Sequence, residues 1–272
     1  MSLILSSLYI HPVKGCRGTS PVRALAQARG FVDDRRWMIV DGGGRFVSQR
    51  SHPALALVGV ATGPEALVLD APGRPLLSIP LAGNGGPQRA AAARDVTIWG
   101  DTVAAVDAGD FAAAWLGDVL GADVRLVHMP DATHRAVDPR YGAPGDEVSF
   151  ADGYPYLVAT TASLADLNAR LVRPVPMDRF RPNLVIDGGA PFAEDGWRRL
   201  RIGEVTFRLV KPCVRCKVTT VDQATGLLDG PEPLRTLAGF HTWQGGAAFG
   251  MNAIAEGEGV VRAGDAVEVL SG

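Results

Sequence analysis

Residues 211–222 read Lys-Pro-Cys-Val-Arg-Cys-Lys-Val-Thr-Thr-Val-Asp and hold two of the chain's three cysteines. Before this stretch, residues 205–210 alternate apolar and polar side chains, which predicts a half-buried β-strand. After Cys216, the β-branched run Val218–Val221 predicts another strand. Pro212 cannot donate a hydrogen bond to a central ladder, so it predicts the end of the first strand. The cysteine pair is therefore expected on a stiff bend between two strands, partly exposed to solvent.

The basic residues around the pair favour reactive or metal-binding chemistry. Arg215 and Lys217 flank Cys216, and nearby cations favour a thiolate over a thiol. The thiolate is the form of cysteine that ligates a metal ion or attacks an electrophile.

Three other interpretations of the cysteine pair stay open at this point. A zinc site needs four ligands, whereas Cys16 is distant and His241 lacks a second histidine at the usual spacing. A thioredoxin-like redox pair opens a helix in a βαβ unit, and here the motif continues into a predicted strand. Free cysteines are also commonly buried and inert, which is the strongest of the three alternatives.

Composition and charge exclude several classes of partner. The chain has 272 residues, 47% of them hydrophobic and 21% charged, which is typical of a soluble globular protein. A formal net charge of −2 gives no bulk positive field for nucleic acid or an anionic membrane. Three cysteines cannot all pair within the chain, which fits a reducing compartment. No signal peptide or spanning apolar run is predicted. We therefore expect a cytoplasmic protein with no nucleic-acid or membrane partner, in which any basic site is local.

A predicted hairpin brings two groups of cations to one rim. Residues 37–40 and 45–48 form the strands of this hairpin around a glycine-rich turn. Arg35 and Arg36 precede the first strand and Arg50 follows the second. The alternative is that these three arginines are solvated surface groups.

A second pair of cations lies near the middle of the chain. Arg179 and Arg181 are two positions apart in a segment predicted to be extended, so their side chains are expected on one face. Two guanidinium groups suit an anionic ligand with several oxygens, because each can donate two hydrogen bonds.

Short β-like segments dominate the rest of the chain, which also has 33 glycines and 19 prolines. This composition indicates a mainly β architecture. Helices are predicted over residues 110–121 and 163–171. Residues 129–150 are predicted to form a linker or a mobile loop over a site, and residues 83–87 another loop.

Several motifs together resemble one known family. Residues 211–226 resemble the cysteine motif of MOSC domains, the molybdenum cofactor sulfurase C-terminal domains. Residues 179–183, Arg-Phe-Arg-Pro-Asn, resemble a second segment of that family. Residues 9–18, 34–37 and 96–101 resemble the MOSC N-terminal β-barrel domain. The resemblance covers nearly the whole chain in the right order and is nearest to the amidoxime-reducing components and their bacterial counterparts.

The resemblance implies a mainly β fold with a few helices, in the α+β class. A MOSC N-terminal β-barrel domain is expected over residues 1–120. A MOSC β-barrel domain that carries the cysteine motif is expected over residues 121–272.

The resemblance also implies a cofactor. The family binds the molybdenum cofactor, in which a molybdopterin with a terminal phosphate holds molybdenum through a dithiolene. The second cysteine of the family motif ligates the metal, so Cys216 is the expected metal ligand and catalytic residue, and Cys213 is not. A soft thiolate suits a metal that is already bound by sulfur.

Cationic and amide side chains are expected to hold this cofactor. Four of them match family positions: Lys14, Arg35, Arg181 and Asn183. Arg50 and Arg215 are further extrapolations as cofactor-binding residues, and Arg179 is a candidate because it is expected on the same face as Arg181. One departure is Gly15, which stands where the amidoxime reducers have serine.

The implied reaction is the reduction of small N-hydroxylated molecules, such as amidoximes or hydroxylamino bases, to the parent amines. The bacterial relatives often carry a C-terminal iron–sulfur domain, whereas this chain ends at Gly272. Electrons are therefore expected from a separate donor protein of the flavin, haem or iron–sulfur type, and pyridoxal phosphate is not expected. The alternatives are a molybdenum cofactor carrier and a sulfur-transfer protein with a persulfide on Cys216.

Overall fold

The chain folds mainly into β-strands with a few helices, which confirms the predicted fold class. The structure is a computed structural model that describes residues 2–81 and 93–272, so the loop predicted at 83–87 lies outside the described residues. The strands are β1 Leu3–Leu8, β2 Arg23–Gln27, β3 Gly30–Phe31, β4 Trp37–Asp41, β5 Gly59–Thr62, β6 Ala66–Asp70, β7 Leu77–Pro80, β8 Ala93–Ile98, β9 Asp101–Asp107, β10 Val124–His128, β11 Tyr156–Thr160, β12 Leu184–Asp187, β13 Arg199–Ile202, β14 Val205–Val214, β15 Thr242–Trp243, β16 Gly246–Ala255, β17 Gly259–Arg262 and β18 Ala266–Ser271.

Helices are short and few in the described ranges. The α-helices are α1 Asp110–Leu120, α2 Thr161–Arg170 and α3 Leu234–Phe240, and 3-10 turns occupy Pro53–Leu57, Met177–Phe180, Ala193–Gly196 and Lys217–Thr220. Across residues 2–81 and 93–272, no helix has both the length and the apolar character that crossing a membrane requires.

Seven strands close into a barrel in the order β11-β12-β1-β18-β13-β14-β16, and β16 pairs back to β11. Strand β1 pairs antiparallel with both β12 and β18. The first strand of the chain thus completes a barrel whose other strands all come after residue 155. Leu5 and Leu8 of β1 are fully buried in the barrel core beside Tyr156 and Phe207.

A half-barrel forms next to this closed barrel. Its strands are those of the sheets β4-β10-β9-β8 and β5-β6-β7, and α1 packs against them. Trp37, Leu55 and Trp115 are buried together in its core. The predicted hairpin is present, because Asp41 and Arg45 are hydrogen-bonded across the turn and Val47 pairs with Ile39.

The strand predicted after Cys216 is wrong, because Lys217–Thr220 forms a 3-10 turn. The hydroxyl of Thr219 donates to the carbonyl of Cys216, and the hydroxyl of Thr220 donates to that of Lys217. Such local bonds compete with pairing in a sheet, so β propensity alone does not decide the conformation.

The position predicted for Pro212 at a strand end is also wrong. Strand β14 continues to Val214, with irregular pairing to β16 between Leu209 and Lys211 and again between Pro212 and Val214. A bulge tolerates a residue without an N–H, so Pro212 is accommodated inside β14, and Cys213 lies at the second irregularity.

Candidate functional site

One cleft brings together nearly all of the predicted site residues. It lies where the end of β14 and the turn after it face the segments around Lys14 and Phe46, and it encloses about 860 Å³ up to its open mouth. The predicted residues that line it are Lys14, Arg35, Arg50, Arg181, Asn183, Arg215 and Cys216, and Cys213 lines it as well. Some of these residues lie between positions 14 and 50 and the others between 181 and 216. The cleft therefore forms only where the N-terminal and C-terminal parts of the chain meet.

Cys216 lies at the start of the 3-10 turn and is partly exposed in the cleft. The guanidinium of Arg50 reaches it, with 3.6 Å between Nη1 and Sγ. The same guanidinium lies 4.5 Å from the ring centre of Trp99 and 5.4 Å from that of Phe46. These two rings restrict Arg50 and direct its charge towards the thiol.

Cys213 has a different cation as its partner. Arg215 Nη1 lies 2.8 Å from the sulfur of Cys213, and Arg215 Nη2 donates to the carbonyl of Phe180 at 2.7 Å. The structure therefore pairs Arg215 with Cys213, whereas the expectation from the sequence placed it beside Cys216.

Neither motif cysteine is a buried, inert thiol, but the third cysteine is. Cys16 is fully buried, and burial raises its pKa to about 12. The interpretation of buried thiols, raised for the motif pair, applies instead to Cys16.

Arg35 and Asn183 form the structural framework of one wall. Arg35 Nη1 donates to Asp34 at 2.6 Å and to the side-chain oxygen of Asn183 at 2.9 Å, and Nη2 donates to the carbonyl of Arg181 at 3.0 Å. Asn183 in turn donates to the carbonyl of Tyr9 at 3.1 Å. Most of their hydrogen-bonding capacity is used within the protein, so both residues fix the positions of their neighbours.

Arg181 carries a charge that the protein leaves poorly compensated. Burial and the nearby charge of Arg35 lower its pKa to about 10. Its Nη2 atom is buried and has no hydrogen-bond partner in the described part of the chain. Its backbone is left-handed, with φ 53°. A partly buried cation with an unpaired buried N–H is costly unless a ligand compensates it.

Lys14 and Asp152 form an ion pair inside the cleft. Burial lowers the pKa of Lys14, although Asp152 opposes this effect. The charge of Lys14 and hydrogen bonds from Lys14 and Trp99 hold the pKa of Asp152 well below its usual range. Because 64% of the Asp152 side chain is open to solvent, we attribute its low pKa to Lys14.

Asp152, Trp99 and Phe46 belong to this site but were not expected from the sequence. Trp99 has the left-handed φ of 55° and its side chain donates to Asp152 at 3.2 Å. A non-glycine residue in that conformation signals a constrained position, but no sequence pattern predicts it.

Arg179 does not line the cleft, and the extended segment predicted for it is wrong. Met177–Phe180 forms a 3-10 turn, so the side chains of Arg179 and Arg181 point to different surroundings. Arg179 is 2% exposed and donates to Asp222 at 2.9 Å and to Asp229 at 3.2 Å. It holds two turns together as a buried ion pair.

The segment 129–150 does not cover this cleft, contrary to the prediction. Its Tyr141 packs against Trp243, with ring centres 5.9 Å apart, and its Asp146 pairs with Arg208 on the outside of the barrel. All of residues 129–150 are described and none lines the cleft, whereas residues 151–154 do.

The charges of the cleft define what it can hold. Lys14, Arg35, Arg50, Arg181 and Arg215 face it, and the only carboxylate among its described lining residues is that of Asp152. A positive cleft with two accessible thiols suits an anionic ligand that also carries a soft metal.

Comparisons with known proteins agree with both halves of this structure. The MOSC N-terminal beta barrel domain matches residues 2–123, and the MOSC domain matches residues 145–268. The chain is 32% identical over 284 residues to mitochondrial amidoxime-reducing component 1 of Homo sapiens, which covers 98% of this chain and 82% of that protein. It is 34% identical over 252 residues to mitochondrial amidoxime reducing component 2 of Bos taurus, over 87% of this chain and 71% of that protein. Among solved structures, the YUAD protein from Bacillus subtilis is 10% identical with a TM-score of 0.43, over 98% of this chain and 94% of that one, a likeness too low to support an argument.

Proposed function

This chain belongs to the family of the mitochondrial amidoxime-reducing components, with a MOSC N-terminal beta barrel domain and a MOSC domain, and on that premise we propose that it binds the molybdenum cofactor and reduces N-hydroxylated substrates. Amidoximes and hydroxylamino bases are the proposed substrate class, and the parent amines are the products. A separate protein of the flavin, haem or iron–sulfur type supplies the electrons. A cytoplasmic location is part of the same proposal and fits three free cysteines.

The residues of the cleft fit an anionic cofactor. Arg181 Nη2 and Arg215 Nε are buried atoms without hydrogen-bond partners among the described residues, and an anion in the cleft would supply acceptors for them. Gly15 has φ 86°, and a Cβ there would lie 3.3 Å from Leu55, so the backbone at this point is closely packed. The hydroxyl that the amidoxime reducers have here is missing, but Ser48 lines the cleft beside Gly15.

Each side chain has a role in this proposal. The Cys216 thiolate is the protein ligand of the metal, and Arg50 stabilises its negative charge from 3.6 Å. Lys14, Arg181 and Arg215 bind the anionic part of the cofactor, while Arg35 and Asn183 hold the wall in place. When bound, the cofactor would pass on two electrons from the donor protein, which together with two protons from solvent convert the N-hydroxy group to the amine and water.

Asp152 is placed to orient the substrate. Its carboxylate is ionised at neutral pH, Lys14 holds its pKa well below the usual range, and 64% of the side chain is open to solvent. An ionised carboxylate accepts the N–H bonds that an amidoxime or an amino-substituted ring presents. Phe46 and Tyr154 provide apolar surface beside it.

The observation that carries the proposal is a partly exposed Cys216 facing Arg50 in a cationic cleft. The test is to express the chain in a host that makes the cofactor, and to measure molybdenum, pterin and amidoxime reduction with an artificial electron donor. Cys216→Ala is expected to lose the metal and at least about a hundredfold in activity, since the metal ligand is removed. Cys213→Ala is the matched control and is expected to keep its molybdenum.

Each other outcome identifies an alternative. Full molybdenum and activity in Cys216→Ala would show that the assigned ligand is wrong. Bound cofactor without reduction by any donor would favour a carrier. A cyanide-releasable sulfur on Cys216, with no pterin, would favour a sulfur-transfer protein.

A further inference from the structure

The tip of the hairpin between β8 and β9 carries a tryptophan in an unusual backbone conformation. Two residues, Trp99 and Gly100, connect Ile98 of β8 to Asp101 of β9. Trp99 has a left-handed φ of 55°, which glycine, asparagine or aspartate usually adopts in such a turn. The residue is also 50% exposed. Burial in a hydrophobic core therefore does not explain why a tryptophan occupies this strained position.

The indole N–H of Trp99 holds the carboxylate of the cleft. Nε1 donates to Oδ1 of Asp152 at 3.2 Å, and the ammonium group of Lys14 pairs with the same oxygen. Within residues 2–81 and 93–272, no hydrogen bond reaches Oδ2 of Asp152. Two donors on one oxygen fix the orientation of the carboxylate and leave its second oxygen available to a ligand.

The indole ring of Trp99 holds the guanidinium of Arg50. That group lies 4.5 Å from the ring centre of Trp99, and Phe46 supports the indole with 5.2 Å between the ring centres. In the described part of the chain, Arg50 forms no ion pair, and its guanidinium reaches the sulfur of Cys216 at 3.6 Å. A long arginine side chain without a carboxylate partner is mobile unless packing restricts it, so the rings keep this cation beside the thiol.

Trp99 thus contacts two opposite charges of the cleft through different parts of one side chain. Its N–H binds Asp152, and its ring packs against Arg50. Because the indole is rigid, its position relates the carboxylate beside Lys14 to the guanidinium beside Cys216. A phenylalanine could supply only the ring, and a leucine could supply neither contact. These two contacts account for a tryptophan at a strained turn.

We propose that Trp99 is a positioning residue, which places Arg50 against Cys216 and Asp152 against Lys14 at the same time. This role deepens the proposed reductase site, and its effect on turnover rests on that function. Its effect on Cys216 does not, because the guanidinium lies beside the thiol without a cofactor. The two effects can therefore be measured separately.

One test measures the charge around Cys216 in cofactor-free, full-length protein that carries Cys213→Ser. Cys16 is fully buried and does not compete for reagents. Anionic iodoacetate and neutral iodoacetamide react with the protein at pH 7, mass spectrometry follows the Cys216 peptide, and the ratio of the two rates reports the local positive charge. Trp99→Leu should lower this ratio at least about threefold, because Arg50 is no longer held, whereas Trp99→Phe should keep it within about twofold.

A second test separates the two contacts in the cofactor-loaded protein. Trp99→Phe loses only the N–H bond to Asp152, so the KM for an amidoxime should rise about fivefold while kcat changes less than about twofold. Trp99→Leu should also lower kcat, because Arg50 is released. Trp243→Phe is the matched control, since Trp243 is a partly buried tryptophan that does not line this cleft, and it should change neither KM nor the alkylation ratio.

Melting temperatures verify that each variant is folded. If Trp99→Leu does not fold, Trp99→Gly replaces it, because glycine adopts a φ of 55° without strain. An alkylation ratio in Trp99→Leu equal to that of the Cys213→Ser parent would overturn the proposal, as would an unchanged KM in an active Trp99→Phe variant. Absence of amidoxime reduction by the unsubstituted protein would instead refute the proposed function, and the alkylation ratio would still decide the role of Trp99.

Discussion

Arg179 and Arg181 show how two arginines in one motif come to have opposite roles. Arg179 is buried against Asp222 and Asp229, so its charge is compensated within the protein. Arg181 is half-buried beside Arg35, and its pKa falls to about 10 because the loss of solvent around it and that like charge disfavour the cation. A charged residue that lowers the stability of the folded protein is typical of a binding site, where a ligand compensates its charge.

We predict that the substitutions Arg181→Met and Arg179→Met change stability in opposite directions. In cofactor-free protein, Arg181→Met should raise the free energy of unfolding by about 1 kcal/mol, because it removes a half-buried charge that forms no ion pair among the described residues. Arg179→Met should lower it by about 2 kcal/mol, because it leaves Asp222 without its cation and Asp229 with Arg173 alone. Denaturant unfolding at pH 7 measures both. A loss of stability in Arg181→Met similar to that in Arg179→Met would mean that the protein itself compensates Arg181.

A second prediction concerns His241 and pH. The hydrogen bond to Asp195 raises the pKa of His241 above 6.5 in the folded state. The folded state therefore binds this proton more tightly, so its contribution is complete below pH 6.5 and is lost as the pH rises through the raised pKa. We expect His241→Gln to remove about 1 kcal/mol of the stability difference between pH 6 and pH 9. Urea unfolding at the two pH values tests this, and His52→Gln should retain the wild-type difference.

At the scale of elements, one side chain holds the wall that presents Asp152. Arg135 is 6% exposed and donates to the carbonyls of Ser149 at 3.0 Å, Ala151 at 2.7 Å and Asp152 at 3.2 Å, and also to the carboxylate of Asp101. A planar guanidinium can satisfy acceptors in several directions at once, which an ammonium cannot do with the same geometry. Arg135 is therefore a positioning residue for this side of the cleft.

We predict that Arg135→Lys loosens this wall while the barrel stays folded. Stability should fall by about 2 kcal/mol, because buried carbonyls lose their donor. Amide hydrogen exchange should accelerate by about tenfold at residues 149–153 and remain unchanged in β14. The KM for an amidoxime should rise more than kcat falls. Arg140→Lys, an exposed neighbour whose side chain is 77% exposed, is the control, and equal effects of the two substitutions would contradict the assignment.

At the scale of the whole molecule, the strand order of the closed barrel links the N-terminal strand β1 to the C-terminal half of the chain. Residues 1–120 and 121–272 are predicted as separate domains, yet β1 lies between β12 and β18 and its Leu5 and Leu8 fill the barrel core. Removal of β1 exposes two unpaired strand edges and apolar core surface. The barrel therefore depends on a strand from the other end of the chain.

We predict that the fragment 121–272 does not unfold cooperatively on its own. The same fragment with residues 2–9 appended after Gly272 through a short Gly-Ser linker should regain a cooperative urea transition, because β1 is antiparallel to β18 and can follow it as a hairpin. Circular dichroism and urea titration distinguish the two. Cooperative unfolding of the fragment without β1 would show that the barrel does not need this strand.

Local sequence determined the elements that depend on neighbouring residues. The hairpin from Trp37 to Val47, the alternating start of β14 and helix α1 follow from apolar periodicity and turn residues, and the cysteine motif identified the family and the segment of the site. Predictions from local patterns were wrong where side chains form hydrogen bonds with the nearby backbone. The hydroxyls of Thr219 and Thr220 turned a predicted strand into a 3-10 turn.

Only the tertiary structure decided which residues meet. Arg50 faces Cys216, Arg215 faces Cys213, and Asp152 pairs with Lys14, across as many as 166 residues of sequence. No periodicity encodes such contacts, because they arise when a barrel closes around a core and brings distant loops to one opening. The sequence by itself thus determined the family, several of the strands and the cysteine pair. The arrangement of charges around that pair depended on burial and barrel closure, which are properties of the whole chain.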